Sequence, residues 1–262
     1  MCGVRACGIA MLCLAASGPG LVRCEEDTAD EIKAWQARRV AEFAAYEIVQ
    51  QHPDKATPLK FEKSSMLSWT NPIRETAAGA VFLWTVDGRP QMIASTYPYP
   101  LGVEQELTSL SAVPLRVGAP NGETYHLKAD LQWKDVPDVE PPHRQRALRL
   151  TQMRRIAERF VVKGIGENKF ETRLLTQPIY RAPAEATVDN AAFVFVQGTD
   201  PEAVLLLEPS PTNGWRYALA RTTTYPIAAT LDDQPVWEVK SCYYTRWDDN
   251  LPFRTVQLPG AK

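Results

Sequence analysis

The sequence predicts an α+β protein built from two similar units, each one helix followed by an antiparallel sheet of about four to six strands. Three observations carry this expectation. Ala80–Lys128 recurs as Ala192–Lys240 at a shift of 112, with apolar positions kept apolar, which reads as an internal repeat. Within each copy, short runs of β-formers alternate with turn dipeptides such as Asp87-Gly88, Asn121-Gly122 and Asn213-Gly214. A helical pattern precedes each copy: Ala34, Ala37, Val40, Ala41 and Ala44 in one, Leu150, Met153, Ile156, Ala157 and Phe160 in the other, with RRVAE (Arg38–Glu42) echoed by RRIAE (Arg154–Glu158).

Residues 1–24 read as an export signal. Arg5 supplies the positive end, Ile9–Ser17 a short apolar core, and Gly18-Pro19-Gly20 a helix break before small residues. That core is too short to span a bilayer, which takes about 20 apolar residues, and no later stretch is apolar enough to do so. Leu21-Val22-Arg23-Cys24 resembles a bacterial lipoprotein box, with Cys24 the candidate lipid-attachment residue, although Arg23 stands where a small residue is expected. The expected location is extracytoplasmic, periplasmic or secreted, with an anchor through Cys24 if it is lipidated.

Removal of residues 1–24 takes away Arg5 and Arg23 and no acid, so 27 basic residues face 31 acidic ones and the formal charge is −4. Nothing in this balance points to a nucleic-acid partner. Four of the five cysteines lie in residues 1–24, leaving Cys242 in the body of the chain, which is therefore not a disulfide-stapled domain.

The first unit is expected over residues 25–136. Its helix runs from Asp30 to about Gln50, with acids in the first turn. His52-Pro53-Asp54 follows; this tripeptide is the signature of J-domain cochaperones, but the segment after it is β-like, and a surface turn with Pro53 stopping the helix explains it. Strands are expected at Phe61–Trp69, Ala80–Trp84, Gln91–Thr96, Glu104–Ala112, Pro114–Val117 and Glu123–Lys128, with a bend at Asn71-Pro72-Ile73 and a rigid loop at Pro98–Gly102. Asp135–His143 is rich in proline and acid, and a linker is placed at 137–145. The second unit, 146–262, opens with a helix over Gln145–Val162, stopped near Gly164 and Gly166. Strands at Ala192–Val196, Ala203–Glu208, Trp215–Thr224 and Val236–Lys240 follow, and then a tail that is aromatic and then proline-rich, expected to wrap over this unit.

The segments GAVFLWTVDGRP, AAFVFVQGTDPEAVLLLE and WRYALAR, together with the RRIAE helix, resemble a group of secreted planctomycete proteins of unknown function. The resemblance covers most of the chain after the signal. It implies export and the same whole-chain architecture, and it implies no chemistry.

Sites that announce themselves by spacing are missing: no His-Glu-x-x-His, Cys-x-x-Cys, Gly-x-Ser-x-Gly or phosphate loop occurs. Gly164-Ile165-Gly166 follows a helix and reads as a helix stop. With only His52, His126 and His143, no metal site and no cofactor is expected. Cys242 reads as a small buried residue rather than a nucleophile. Two carboxylate pairs, Asp232-Asp233 in a turn and Asp248-Asp249 beside Trp247, are the catalytic option, in the manner of glycoside hydrolysis. Trp69, Trp84, Trp133, Trp215, Trp237 and Trp247 could form a sugar-stacking platform if exposed, but read first as core. No catalytic or binding residue is assigned. The expected function is a non-enzymatic binding or structural protein of the cell envelope, its partner a protein or a cell-surface polymer, with a glycan- or ester-directed hydrolase using loop carboxylates as the alternative. A cleft of converging acids with an aromatic wall would favour the hydrolase; an exposed apolar patch would favour binding.

Overall fold

Strands β5 (Thr76–Val86) and β6 (Arg89–Tyr99) form a hairpin whose centre is apolar on both faces: Val81 and Leu83 point one way, Phe82 and Trp84 the other, all buried. Such a hairpin needs a cover on each side, and the architecture follows from that requirement. The computed structural model describes residues 29–71, 76–99, 102–167, 169–212 and 214–259. The export segment with Cys24 and most of the bend at 71–73 lie outside these residues, as do Pro100 and Leu101 of the expected loop and Asn213 of the expected turn.

Helix α1 (Ala29–Ala44) leads to β1 (Glu47–Gln51), β2 (Ala56–Pro58), β3 (Lys60–Phe61) and β4 (Leu67–Asn71). After the β5–β6 hairpin come β7 (Gly102–Ser109), β8 (Leu115–Gly118), β9 (Thr124–Leu127) and β10 (Lys134–Asp135). Helix α2 (Arg146–Ala157) opens the second half. It is followed by β11 (Phe160–Gly164), β12 (Phe170–Glu171), β13 (Arg173–Leu174), β14 (Tyr180–Arg181) and β15 (Ala191–Gln197), then by β16 (Asp200–Pro209), β17 (Trp215–Arg221), β18 (Ile227–Leu231), β19 (Gln234–Val239) and β20 (Phe253–Pro259).

These strands form four antiparallel sheets. Two are small outer sheets, β2-β1-β8-β9 and β12-β11-β18-β19. Two are central, β20-β7-β6-β5-β3 with β4 also on β5, and β10-β17-β16-β15-β13 with β14 also on β15. Adding ten to each strand number of the first half gives the strand order of the second. β10 crosses into the second central sheet, where Lys134 and Asp135 pair Tyr217 and Arg216. β20 crosses into the first, pairing β7 from Phe253↔Thr108 to Pro259↔Gly102.

The expected α+β class with one sheet per unit is thereby corrected. The described residues are mostly β, with two helices, each half contributes to two sheets, and each central sheet is completed by a strand of the other half. The physical reason is the two apolar faces of each central sheet, which one helix cannot cover. On one face of the first central sheet, Ala80, Phe82, Trp84, Met92 and Leu107 pack with Phe43 of α1 and with Ile48, Leu115, Val117 and Leu127 of the outer sheet. On one face of the second, Phe193, Phe195, Leu205, Leu207, Trp215 and Tyr217 pack with Met153, Ile156 and Ala157 of α2 and with Phe160, Val162, Ile227 and Ala229. The remaining faces meet each other: Val81, Leu83 and Ile93 pack against Ala192, Val194, Val204 and Leu206. Removing Phe82 or Phe193 to alanine would cost about 3–5 kcal/mol.

Both helices are shorter than the sequence suggested. α1 stops at Ala44 and α2 at Ala157, and the next residues, Glu47–Gln51 and Phe160–Gly164, are strands. The β-branched pairs Val161-Val162 and Ile48-Val49 suit a strand, and the pairing Ile48↔Val117 and Val162↔Ala229 decides it. His52-Pro53-Asp54 accordingly lies between two strands rather than between two helices. The loop expected at Pro98–Gly102 is strand up to Tyr99 and again from Gly102. The first part of the tail lies against the second half, with Cys242 N donating to Thr224 O (3.0 Å), but its last strand, β20, joins the first.

The turns follow their residues. Asp87 and Gly88 have φ of 50° and 74°, Asp232 and Asp233 of 47° and 63°, as two-residue hairpins require. Stretch 137–145 is held against the second half: Arg159 Nη2 donates to Pro137 O (3.0 Å) and Gln152 Nε2 to Pro141 O (3.0 Å).

Candidate functional site

The seam between the central sheets is apolar in its middle and charged at both ends. Strand β16 shows why. Side chains two apart share a face, so Glu208 follows Val204 and Leu206 on the seam face, while a bulge opposite Phe195 and Val196 interrupts β16 and its first residues bring Asp200 and Glu202 to the cleft at the other end. Acids thus flank an apolar centre, and each end meets a different partner.

At the first end, β7 places Glu104 and Glu106 on the same seam, because Gln105 and Leu107 point to the α1 side. Glu104, Glu106, Asp200 and Glu202 are all at least nine-tenths buried, Glu202 completely. They line a cleft of about 380 Å³ whose walls include Trp69, Tyr97, Tyr99, Tyr225 and Tyr243. Tyr97 Oη donates to Glu104 Oε1 (3.2 Å) and Gln257 Nε2 to Glu104 Oε2 (3.0 Å), so the exchanged strand β20 helps hold this carboxylate. Asn71 Nδ2 donates to Asp200 Oδ2 (3.1 Å). Burial, then the charges of Glu106, Glu104 and Asp200, push the Tyr97 hydroxyl far above the ordinary tyrosine range, so it stays a donor at any ordinary pH.

Trp69 is fixed by its neighbour across the ladder. It pairs Gly79, and a Cβ at Gly79 would lie 2.1 Å from the indole, so only glycine admits the ring. The ring sits 5.6 Å from that of Tyr97, and the buried indole N–H has no hydrogen-bond partner among the described residues. The same holds for the hydroxyls of Ser95 and Thr255, the residues paired on either side of Glu106. Of these three, only Trp69 lines the cleft, and its N–H is the one a polar ligand there can meet.

The connection from β19 to β20 forms the rim. The Arg246 guanidinium lies 4.1 Å from the Tyr243 ring centroid and 3.8 Å from that of Trp247. Tyr99, Tyr243, Tyr244 and Trp247 are among the exposed large apolar side chains of the described residues, and of these Tyr99 and Tyr243 line the cleft. Cys242, beneath, is a free, buried thiol; burial pushes its pKa up, with Arg221 opposing, so it is no ready nucleophile.

The residues singled out from the sequence lie mostly elsewhere. Asp232 pairs Arg159, with Asp232 Oδ1 3.1 Å from Nε, and Asp249 pairs Arg254 at 2.7 Å; neither acid pair lines the cleft. Trp84 and Trp215 are core, Trp133 and Trp237 are partly buried, and of the six only Trp69 lines the cleft while Trp247 holds its rim. His52 borders another cleft, of about 340 Å³, with Gln50, Asp87 and Arg89. No group of three or more His, Cys, Asp or Glu among the described residues is placed to hold a metal ion. The four cleft acids were missed because turns were searched for carboxylates and strands were not. Their signal was present: Glu104 with Glu106, and Asp200 with Glu202, stand two apart inside strands whose other members are buried.

No helix among the described residues is long and apolar enough to cross a membrane. Comparison with known proteins finds no family model, no curated protein and no solved structure that matches this chain.

Proposed function

We propose that this is an exported, non-enzymatic binding protein of the cell envelope that holds a sugar unit of a surface polymer in the cleft between its central sheets. The observation that carries the reading is the convergence of buried carboxylates with aromatic rings and the lone indole N–H of Trp69. Carboxylates accept hydrogen bonds from sugar hydroxyls, the indole donates one back, and the rim rings stack on the apolar face of a pyranose. The export segment and the resemblance to secreted planctomycete proteins support the compartment. Purified protein titrated with soluble cell-wall oligosaccharides should bind at least one saturably, and Tyr243→Ala with Trp247→Ala should weaken that binding about tenfold or more. Absence of binding, or binding indifferent to these changes, would refute the reading.

A second reading rests on a separate feature: the acids come from opposite walls, Glu104 and Glu106 from β7 and Asp200 and Glu202 from β16. Facing carboxylates beside aromatic rings are also what glycoside hydrolysis uses, one as acid and one as base or nucleophile. Release of reducing sugar by the wild type, lost in both Glu106→Gln and Glu202→Gln, would replace the binding reading with this one.

A further inference from the structure

The other end of the seam is cationic. Arg89 at the start of β6 and Arg216 on β17 both reach the fully buried Glu208: Arg89 Nε lies 2.9 Å from Oε2 and its Nη2 3.2 Å from Oε1, while Arg216 Nε lies 2.7 Å from Oε1. Beside them Asp189 is gripped by three guanidiniums, with Arg149 Nε at 2.7 Å, Arg181 Nη2 at 2.8 Å and Arg146 Nε at 3.5 Å. Arg89, Arg216, Arg149 and Arg144 line one open cleft of about 550 Å³ with His143. Arg144 is exposed and makes no ion pair among the described residues. The N-terminus of α2 opens here, with no acid in its first turn and no side-chain cap.

The charges do not balance. Six guanidiniums gather around Glu208 and Asp189. Two further carboxylates adjoin these residues: Asp135, which accepts from Ser210 (2.6 Å), and Asp87, in the adjoining cleft that also includes Arg89. Even with all four ionised, cations remain in excess. The guanidiniums are also held in place: Arg149 Nη1 donates to His143 O (3.0 Å), Arg216 lies 4.8 Å from the Trp133 ring centroid, and Arg181 bonds the Arg146 carbonyl. Arg216 turns Nε and Nη2 onto Glu208, and Arg149 its Nε onto Asp189 and its Nη1 onto the His143 and Arg144 carbonyls, so the donors this cleft offers an oxyanion beside the helix N-terminus are Arg216 Nη1, Arg149 Nη2 and the Arg144 fork.

We infer that this cleft is a binding site for a sulfate or phosphate group, free or as an ester, with Arg144, Arg149 and Arg216 as its principal donors. The site is independent of the sugar reading, since it shares no residue with the acidic cleft. The test is calorimetric titration of the full protein with sodium sulfate and, separately, sodium phosphate, at ionic strength fixed with sodium chloride. Saturable heat with either anion is expected, and which anion gives it identifies the source. Arg144→Glu should lower the affinity at least about tenfold, while Arg155→Glu, the same charge change at an exposed position further along α2, should leave it within twofold. Thermal unfolding of both variants checks that each is folded. No saturable heat beyond the chloride control, or equal losses in the two variants, would overturn the assignment.

Discussion

The two ends of the central seam are built from one strand and answer the same problem in opposite ways. β16 brings acids to both ends, Asp200 and Glu202 at one and Glu208 at the other. Glu208 is enclosed by Arg89 and Arg216 at hydrogen-bond distance, so its burial is compensated in place. Asp200 and Glu202 are instead joined by two more acids, with Arg246 held among aromatic rings. A buried charge costs several kcal/mol unless paired, and two guanidiniums supply that pairing for Glu208. The other end gathers four buried carboxylates and several aromatic rings around a cleft, an arrangement ordinarily found at a place of function.

The comparison is tested most sharply by removing the compensation. Changing both Arg89 and Arg216 to alanine leaves Glu208 buried without its partners, and unfolding free energy in urea should fall by about 3–5 kcal/mol. Single changes should cost well under half as much, because one fork remains and both arginines are partly exposed. A double variant as stable as the wild type would show that Glu208 is held by something other than charge.

Asp189 gives the next effect at the same end. Burial opposes its ionisation, but hydrogen bonds from Arg181 and Arg149, with the charge of Arg146, outweigh burial and hold its carboxyl below the usual aspartate range. A depressed carboxylate contributes stability above its unfolded pKa and loses it as pH falls through the folded one. Asp189→Asn should therefore cost about 2 kcal/mol at pH 7, and the difference from wild type should shrink as pH falls below about 4. Urea midpoints across pH 2–7 measure it; a difference constant with pH would mean that the contribution is not ionic.

Tyr180 adds a smaller effect. Its hydroxyl and Asn190 Nδ2 both donate to the carbonyl of Gly88, each at 3.0 Å, tying the β5–β6 turn to the other half. Tyr180→Phe leaves that carbonyl one donor and should cost about 1 kcal/mol. Burial, then the charge of Glu62, pushes the Tyr180 hydroxyl up to about 12. A tyrosine raised in the folded state loses stability as pH climbs from about 10 towards 12, so the variant should unfold less steeply there. Alkaline unfolding curves that coincide would argue against this contact.

Much of this was legible in the sequence, with characteristic slips. The turn at Asp87-Gly88 and the strands around it follow from local chemistry and stand where expected. The shift of 112 holds from Leu115, in the core beside α1, to Ile227, in the core beside α2. Within the central hairpin it fails by one. Phe82 faces α1, and the residue with its role is Phe193, whereas a shift of 112 would select Val194, which faces the seam. One residue exchanges the faces of a strand, and runs such as AVFLW, apolar at every position, carry no alternation to fix the phase. In the helices, RRVAE and RRIAE suggest a shift of 116, while the helix ends, Ala44 and Ala157, differ by 113. The exchange of β10 and β20 could not be read at all, since edge pairing depends on where each segment lies in space. The cleft was half legible: its acids were visible as pairs two apart, but which face they shared depended on a seam that the expected single-sheet units do not contain.

The smallest predicted effect has the opposite sign and separates the two ends most cleanly. Asp200→Asn keeps the shape of the side chain and removes one of the charges that bear on Tyr97. Asn71 donates to Asp200 Oδ2 through its amide, and the amide oxygen of the new residue can accept the same bond. One of four carboxylate charges gathered at the cleft is removed, so the variant should be as stable as the wild type or more stable by up to about 1 kcal/mol at pH 7. Calorimetric unfolding at pH 7 would show this. A loss of more than about 1 kcal/mol at pH 7 would mean that Asp200 is held as favourably as Glu208, and the contrast between the two ends would collapse.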